Sequence, residues 1–204
     1  MKLTTNNIWF TSDTHYNHKN ICRGVSNWNP GNEELFLQVT RDFPDLETMN
    51  NAIVEGINDT VSPEDYLIHL GDWSFGGFEK IEEFRSKINC KNIILILGNH
   101  DHHIENNRSG IRKIFTHVTH YEELTVTSSI KDTMKFVLCH YPIISWNGLR
   151  TNTHMIHGHQ HLKHSDRFGA GKRMDVGLCG SPNFMPYHID EVVSLLETRE
   201  SFEP

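Results

Sequence analysis

Apolar residues fall in short blocks along this chain, and most blocks run directly into Asp, Asn or His. Ile93-Ile94-Leu95-Ile96-Leu97 is the clearest block. Five consecutive apolar residues, three of them β-branched, predict a short strand buried on both faces. Ile8 to Ser12 and Tyr66 to Leu70 predict two more strands, and Met174 to Leu178 another. Residues 123–128 and 133–139 predict a strand pair joined by the polar loop 129–132. Helical periodicity runs through residues 32–58, where Asn32 is a cap candidate, Pro44 is tolerable at a helix start, and Ile53, Val54 and Ile57 share a face. Residues 78–88 form an amphipathic helix with Ile81, Phe84 and Ile88 on one stripe. Ser62 to Asp65 is a turn, and residues 108–115 read as a short basic helix. The last segment, 191–197 with Asp190 as its cap, fits either a helix or an edge strand. Strands alternating with helices predict an α/β fold. No repeat, low-complexity tract or linker divides the 204 residues, so one domain spanning 1–204 is expected.

Polar punctuation at the strand ends carries the chemistry. Gly98-Asn99-His100-Asp101 follows the 93–97 block, Asp13-Thr14-His15 follows the first strand, and Gly71-Asp72 follows the second. His140 ends the 133–139 strand. His157-Gly158-His159-Gln160-His161 ends the apolar pair Met155-Ile156. In open α/β sheets, ligands bind at the C-terminal mouths of the strands. Taken singly, each group has an ordinary reading: a helix cap for Asp13, a Gly-Asp turn at Asp72. His69, inside its strand, reads as a hydrogen-bonded core residue, and His102 and His103 as surface or outlying residues. Residues two apart in extended chain face the same way. Asp13 and His15 are therefore expected to address one point. The three alternating histidines 157, 159 and 161 are expected to share a face unless Gly158 bends the chain.

Composition narrows the function. Asp and Glu outnumber Lys and Arg by 26 to 19, giving a formal charge of -7. That balance disfavours a broad phosphate-backbone footprint, so no nucleic-acid partner is expected. No apolar run reaches the ~20 residues of a spanning helix, and no apolar leader segment follows Met1. The four cysteines are far apart and read as reduced thiols. Together these features predict a cytoplasmic protein without a membrane partner. The fifteen histidines are the compositional oddity, and their clustering is a metal signal.

Asp13, His15, Asp72, Asn99, His140, His159 and His161 supply three oxygen-donor side chains, four imidazoles and no thiolate. That mixture suits Mn²⁺, Fe²⁺ or Zn²⁺ better than Ca²⁺ or a Cys-rich structural zinc. Seven ligands are too many for one ion with an open position and enough for two if one carboxylate bridges. Two ions ~3.5–4 Å apart clamp the attacking and leaving oxygens of an in-line displacement.

The ordered set D-x-H, G-D, G-N-H-D, a lone H and G-H-x-H is similar to the signature of the calcineurin-like metallophosphoesterases. Here it reads Asp13-Thr14-His15, Gly71-Asp72, Gly98-Asn99-His100-Asp101, His140 and Gly158-His159-Gln160-His161. The flanking Thr11-Ser12, Met174-Asp175-Val176-Gly177 and Asp190-Glu191-Val192 resemble small bacterial and phage members. The resemblance implies a four-layer α/β/β/α sandwich of two mixed sheets. It implies that Asp13, His15 and His161 hold one divalent cation, that Asn99, His140 and His159 hold a second, and that Asp72 bridges both beside a hydroxide. Mn²⁺ is the leading expectation, with Fe²⁺, Zn²⁺, Ni²⁺ and Mg²⁺ as alternatives. His100 is implied to protonate the leaving oxygen or bind phosphate, Asn99 to share that phosphate contact, and Asp101 to orient the His100 ring.

The expected function is hydrolysis of a phosphodiester, a nucleotide or another small diester, because an alkoxide leaving group benefits from a general acid. A phosphomonoesterase or protein phosphatase is the alternative, and a DNA nuclease ranks third because of the acidic balance. A non-catalytic interaction module on the same fold, or a structural metal site, would leave the complete ligand set with His100 and Asp101 unused. The expected partner is a small phosphoester, and no feature sets an oligomeric state. Lys19, Arg23, Lys163, Arg167, Lys172 and Arg173 lie near the motifs and read equally as substrate contacts or solvated surface. Trp73 and Tyr187 are expected in the core.

Overall fold

The computed structural model describes residues 1–107, 110–127 and 133–201. Its strands are Lys2–Leu3 (β1), Ile8–Thr11 (β2), Tyr66–His69 (β3), Asn92–Ile96 (β4), His117–Thr119 (β5), Tyr121–Thr127 (β6), Thr133–Cys139 (β7), Thr153–His157 (β8), Arg173–Asp175 (β9) and Tyr187–His188 (β10). Its α-helices are Glu33–Val39 (α1), Leu46–Asn58 (α2), Gly77–Lys87 (α3), His102–Asn106 (α4) and Ile189–Glu197 (α5). The strands build two sheets, ordered β10-β2-β3-β4-β5 and β1-β6-β7-β8-β9. In the first, β2 to β5 are parallel and β10 is antiparallel. In the second, only the β6–β7 pair is antiparallel. Both sheets are mixed, in the α/β architecture that the motifs implied.

Period-two alternation decides which residue fills which layer. Ile8, Phe10, Ile68, Leu70, Ile94 and Ile96 point between the sheets, where they meet Leu124, Val126, Phe136, Leu138, Ile156 and Met174. Their neighbours Leu67, Ile93 and Leu95 point the other way, onto Met49, Ile53 and Ile57 of α2 and Ile81 and Phe84 of α3. A strand with both faces covered needs an unbroken apolar run, which explains residues 93–97. On the far side, Trp146 and Leu149 cover Val137 and Met155 of the second sheet. Val192 and Leu196 of α5 join the core between the sheets.

Several boundaries differ from the sequence reading. The 32–58 periodicity is two helices, capped by Asn32 and by Asp45. Pro44 lies in the break between them, where it disfavours helical backbone at Phe43. The last segment is a helix, and its cap is the His188 ring, which accepts from the Asp190 amide at 3.3 Å, rather than Asp190. The expected 174–178 strand is only β9, because Val176 and Gly177 turn toward β2. The short strands β1, β5 and β10 carried too few residues for a visible pattern. Residues 108–109 and 128–132, which include the expected loop 129–132, lie outside the described residues. Within 108–115, a 3-10 turn is described at Ile111–Ile114. Among the described residues no helix is long and apolar enough to cross a membrane.

Candidate metal centre

All five motifs lie at the C-terminal ends of parallel strands. Asp13 follows β2, Asp72 follows β3, Asn99 follows β4, His140 follows β7, and His159 and His161 follow β8. The two sheets face each other, so these ends meet at one edge of the sandwich. The Nε2 atoms of His15 and His161 are 3.0 Å apart, and His161 Nε2 is 3.5 Å from Asp13 Oδ1. On the other side, His140 Nε2 is 3.1 Å from Asn99 Oδ1. Asp72 Oδ2 lies between the groups, 3.5 Å from His15 Nε2 and 3.6 Å from His140 Nε2. The ligand atoms of Asp13, His15 and His161 lie within 4.8 Å of one another, as do those of Asp13, Asp72 and His140, so both carboxylates stand between the imidazole groups. The His159 ring packs edge-on to His140, 5.0 Å between centroids, and its main-chain N–H donates to the Asp13 carboxylate.

Convergence comes from the backbone, not from strand alternation. Asp13, His15, Asp72, His159 and His161 all adopt positive φ, between 48° and 72°. Few side chains tolerate that region, although Asp and His are enriched there, and such strain of roughly 1–3 kcal/mol per residue persists where the surroundings enforce it. Asp13 and His15 share a target because the chain turns left-handed at both, after β2 has ended. Beyond His157 the chain leaves β8, and the 158–161 turn parts His157 from His159 and His161. His157 stays buried, its Nδ1 donating to the Gly158 carbonyl. The motif glycines keep this turn-upon-turn packing open. A Cβ at Gly158 would collide with Ser12 Oγ and Asp13 Oδ2, and one at Gly98 with Asp72 Oδ1.

Burial sets the electrostatics. It pushes the Asp72 carboxyl up, Asp175 up to about 7 and Asp101 up to about 6. It holds His15 well below the ordinary imidazole range. His140 Nδ1 donates to the Leu70 carbonyl at 2.6 Å, which leaves the Nε2 lone pair facing Asp72 and Asn99. Burial lowers the His161 ring, but Cys179 and the Asp13 carboxylate outweigh it, draw a proton onto the ring and hold it up to about 9. Asp72, kept from ionising by burial, and the free Nε2 lone pair of His140 lack positive charge. Divalent cations supply it, so the donor set fits a metal centre.

Supporting contacts revise one expectation and add residues without a sequence signal. Among the described residues Asp101 makes no hydrogen bond to the His100 ring that it was expected to orient. Its two carboxylate oxygens accept the main-chain N–H groups of Asp72, Trp73 and Gly98 at 2.8–2.9 Å, because burial demands that every lone pair find a donor. The residue thereby ties the Gly-Asp loop to the Gly-Asn-His-Asp loop. The His100 ring lies on the exposed side, 4.8 Å from Phe75 and 5.5 Å from His15 between centroids. Its main-chain N–H donates to Asp72 Oδ1 at 2.9 Å. Arg41, from the unpatterned stretch between α1 and α2, is buried, and its guanidinium donates to the carbonyls of Asp13 and Thr14. Cys179 Sγ lies 3.7 Å from His161 Nδ1. Burial pushes that thiol up, but Arg41 and His161 outweigh it and bring it down to about 7. Nothing in the local sequence marked Arg41 or Cys179.

Most of the remaining candidates are tied into the fold. His69 is buried, with Nε2 2.9 Å from Thr14 Oγ1 and Nδ1 accepting the Gly71 amide. Trp73 and Tyr187 are core residues. Arg23 donates to Thr40 and pairs with Asp42. Arg167 donates to the His164 carbonyl, Arg173 to the Ile143 carbonyl, and Lys172 pairs with Glu197. Lys163 is exposed.

The chain is 29% identical over 195 residues to an uncharacterised protein of Methanocaldococcus jannaschii, covering 93% of this chain and 91% of that one. Its fold is similar to the crystal structure of a protein of unknown function from Aquifex aeolicus, with a TM-score of 0.62 and 21% identity over 92% of this chain and 98% of the other. A family model described as calcineurin-like phosphoesterase matches residues 7–182, a span that holds all five motifs. By that match, and with a donor cluster suited to divalent cations at its strand ends, the chain belongs to the calcineurin-like phosphoesterase family and is a metal-dependent phosphoesterase.

Proposed function

We propose that this chain is a phosphodiesterase for a small diester such as a nucleotide, with two divalent cations, Mn²⁺ the leading candidate, shared by Asp72. Asp13, His15 and His161 would hold one cation, and Asn99, His140 and His159 the other. The observation that carries the reading is the place of Asp72 Oδ2, at nearly equal distances from His15 Nε2 and His140 Nε2. When bound, such a pair of cations draws charge from the phosphoryl oxygens and makes hydroxide available near neutral pH.

The chain's own residues divide the remaining work. Asn99 and His100 are exposed beside the buried carboxylates, so an incoming phosphate meets them first. Asp72 holds the His100 backbone through Oδ1 while Oδ2 faces the imidazoles. The His100 ring then delivers its proton to the departing alkoxide, which is a poor leaving group without an acid. Asp101 fixes the two loops that carry Asp72 and His100.

A hydrolysis screen tests the reading, using bis(4-nitrophenyl) phosphate, 4-nitrophenyl phosphate and cyclic nucleotides with Mn²⁺, Mg²⁺, Zn²⁺ and Ni²⁺. Diesters are expected to turn over faster than the monoester, and only with metal. Faster cleavage of the monoester would move the protein to the phosphomonoesterases, and metal-independent cleavage would end the proposal.

A further inference from the structure

Beside the donor cluster lies a cavity of about 400 Å³ whose walls include His159, His161, Asn20, Ile21, Trp28, Val39 and Gln160. Two of its walls are candidate ligand histidines, so the cavity adjoins the proposed metal centre. The facing wall belongs to the segment before and within α1. That helix buries none of its residues, and Trp28, Leu35 and Leu37 are exposed there at 38%, 41% and 47%. Trp28, its indole stacked on Phe36 with ring centroids 6.4 Å apart, lines the cavity instead of filling the core, as exposed apolar groups at ligand sites do.

Chemistry narrows the occupant. No Lys, Arg, Asp or Glu is among the described residues lining the cavity, so nothing there matches a second phosphate or a polyanion. Ile21, Val39 and Trp28 favour an apolar face. The amides of Asn20 and Gln160 favour polar edges, and a plain alkyl group would cover them without hydrogen bonds. A nucleoside combines a flat apolar face with polar edges and suits a cavity of this size.

We infer that this cavity takes the nucleoside of a nucleotide ester, its base against the Trp28 indole, an inference that rests on the diesterase reading. Two diesters with one leaving group test it: thymidine 5′-(4-nitrophenyl) phosphate and methyl 4-nitrophenyl phosphate. The wild type should show a KM roughly tenfold lower for the thymidine ester, the order that one base–aromatic stack supplies. Trp28→Ala should abolish that advantage and leave the methyl ester unchanged, and Trp28→Phe should restore most of it. Equal KM values in the wild type, or equal losses on both esters in Trp28→Ala, would overturn the inference while leaving the diesterase reading intact. If neither ester turns over, the diesterase reading fails. Calorimetric titration of the Mn²⁺-loaded protein with thymidine monophosphate then decides the cavity: roughly tenfold weaker binding to Trp28→Ala supports it, and equal binding overturns it.

Discussion

Asp13, His15, Asp72 and His140 are at most 2% exposed, whereas Asn99, His100 and His159 are open to solvent, although all seven follow strands of the same sandwich. The buried floor is fixed by main chain: left-handed turns at Asp13, His15 and Asp72, the Leu70 carbonyl on His140, and the Asp101 carboxylate across two loops. The open rim has few such ties, and the His100 ring makes no hydrogen bond among the described residues. This contrast teaches that floor and rim answer to different demands. Donors that share cations need positions set before the cations arrive, whereas groups that meet substrate need access. Damage to the floor should therefore cost metal and stability together, damage to Asn99 or His159 should cost the second cation, and damage to the His100 ring should cost rate alone.

The largest effect should come from emptying the floor. Prolonged dialysis against a chelator should bring hydrolysis to background and lower the melting temperature, since bound cations stabilise only the folded chain. Added Mn²⁺ should restore both. His100→Ala tests the rim: turnover should fall ~10²–10⁴-fold, the usual worth of a general acid, with metal content and melting temperature unchanged. Loss of metal in that variant would move His100 to the floor. Asp101→Asn separates the two parts in another way. One amide oxygen cannot serve three main-chain donors, so stability should fall by about 1–3 kcal/mol in urea titrations and metal should bind less tightly. A loss of rate alone would return Asp101 to the role of orienting His100. The smallest effect should be that of Cys179→Ala, which removes the partner of His161 Nδ1. One of two binding steps in a Mn²⁺ titration should weaken by about 10–100-fold while the other stays unchanged.

The sequence made the two-faced strands legible, because Ile8, Phe10, Ile68, Ile94 and Ile96 belong to runs too apolar for a surface. It also marked the seven candidate donors, because Asp, His and Asn directly after such runs have few other uses in combination, and the structure brings the ligand atoms of Asp13, His15, Asp72, His140 and His161 together. It did not reveal how they converge. Alternation predicted that Asp13 and His15 would share a face of extended chain, but φ is a backbone property, and Asp and His occur in strand, turn and left-handed region alike. The Asp101 contacts were hidden for a related reason: a carboxylate beside a histidine invites pairing, yet burial gives it one amide of its own loop and two of the Gly-Asp loop. Arg41 and Cys179 reach the centre from stretches without periodicity, so only the fold could bring them there. The break at Pro44 was open to reading, since residues before proline avoid helical backbone.

In the proposed centre Asp72 serves both halves. Metal content of the wild type and of Asp72→Ala, measured after equilibration with Mn²⁺, tests this most directly. Two ions per chain in the wild type, and at least one fewer in the variant with hydrolysis lost, is the predicted result. Two tightly held ions in Asp72→Ala would contradict it.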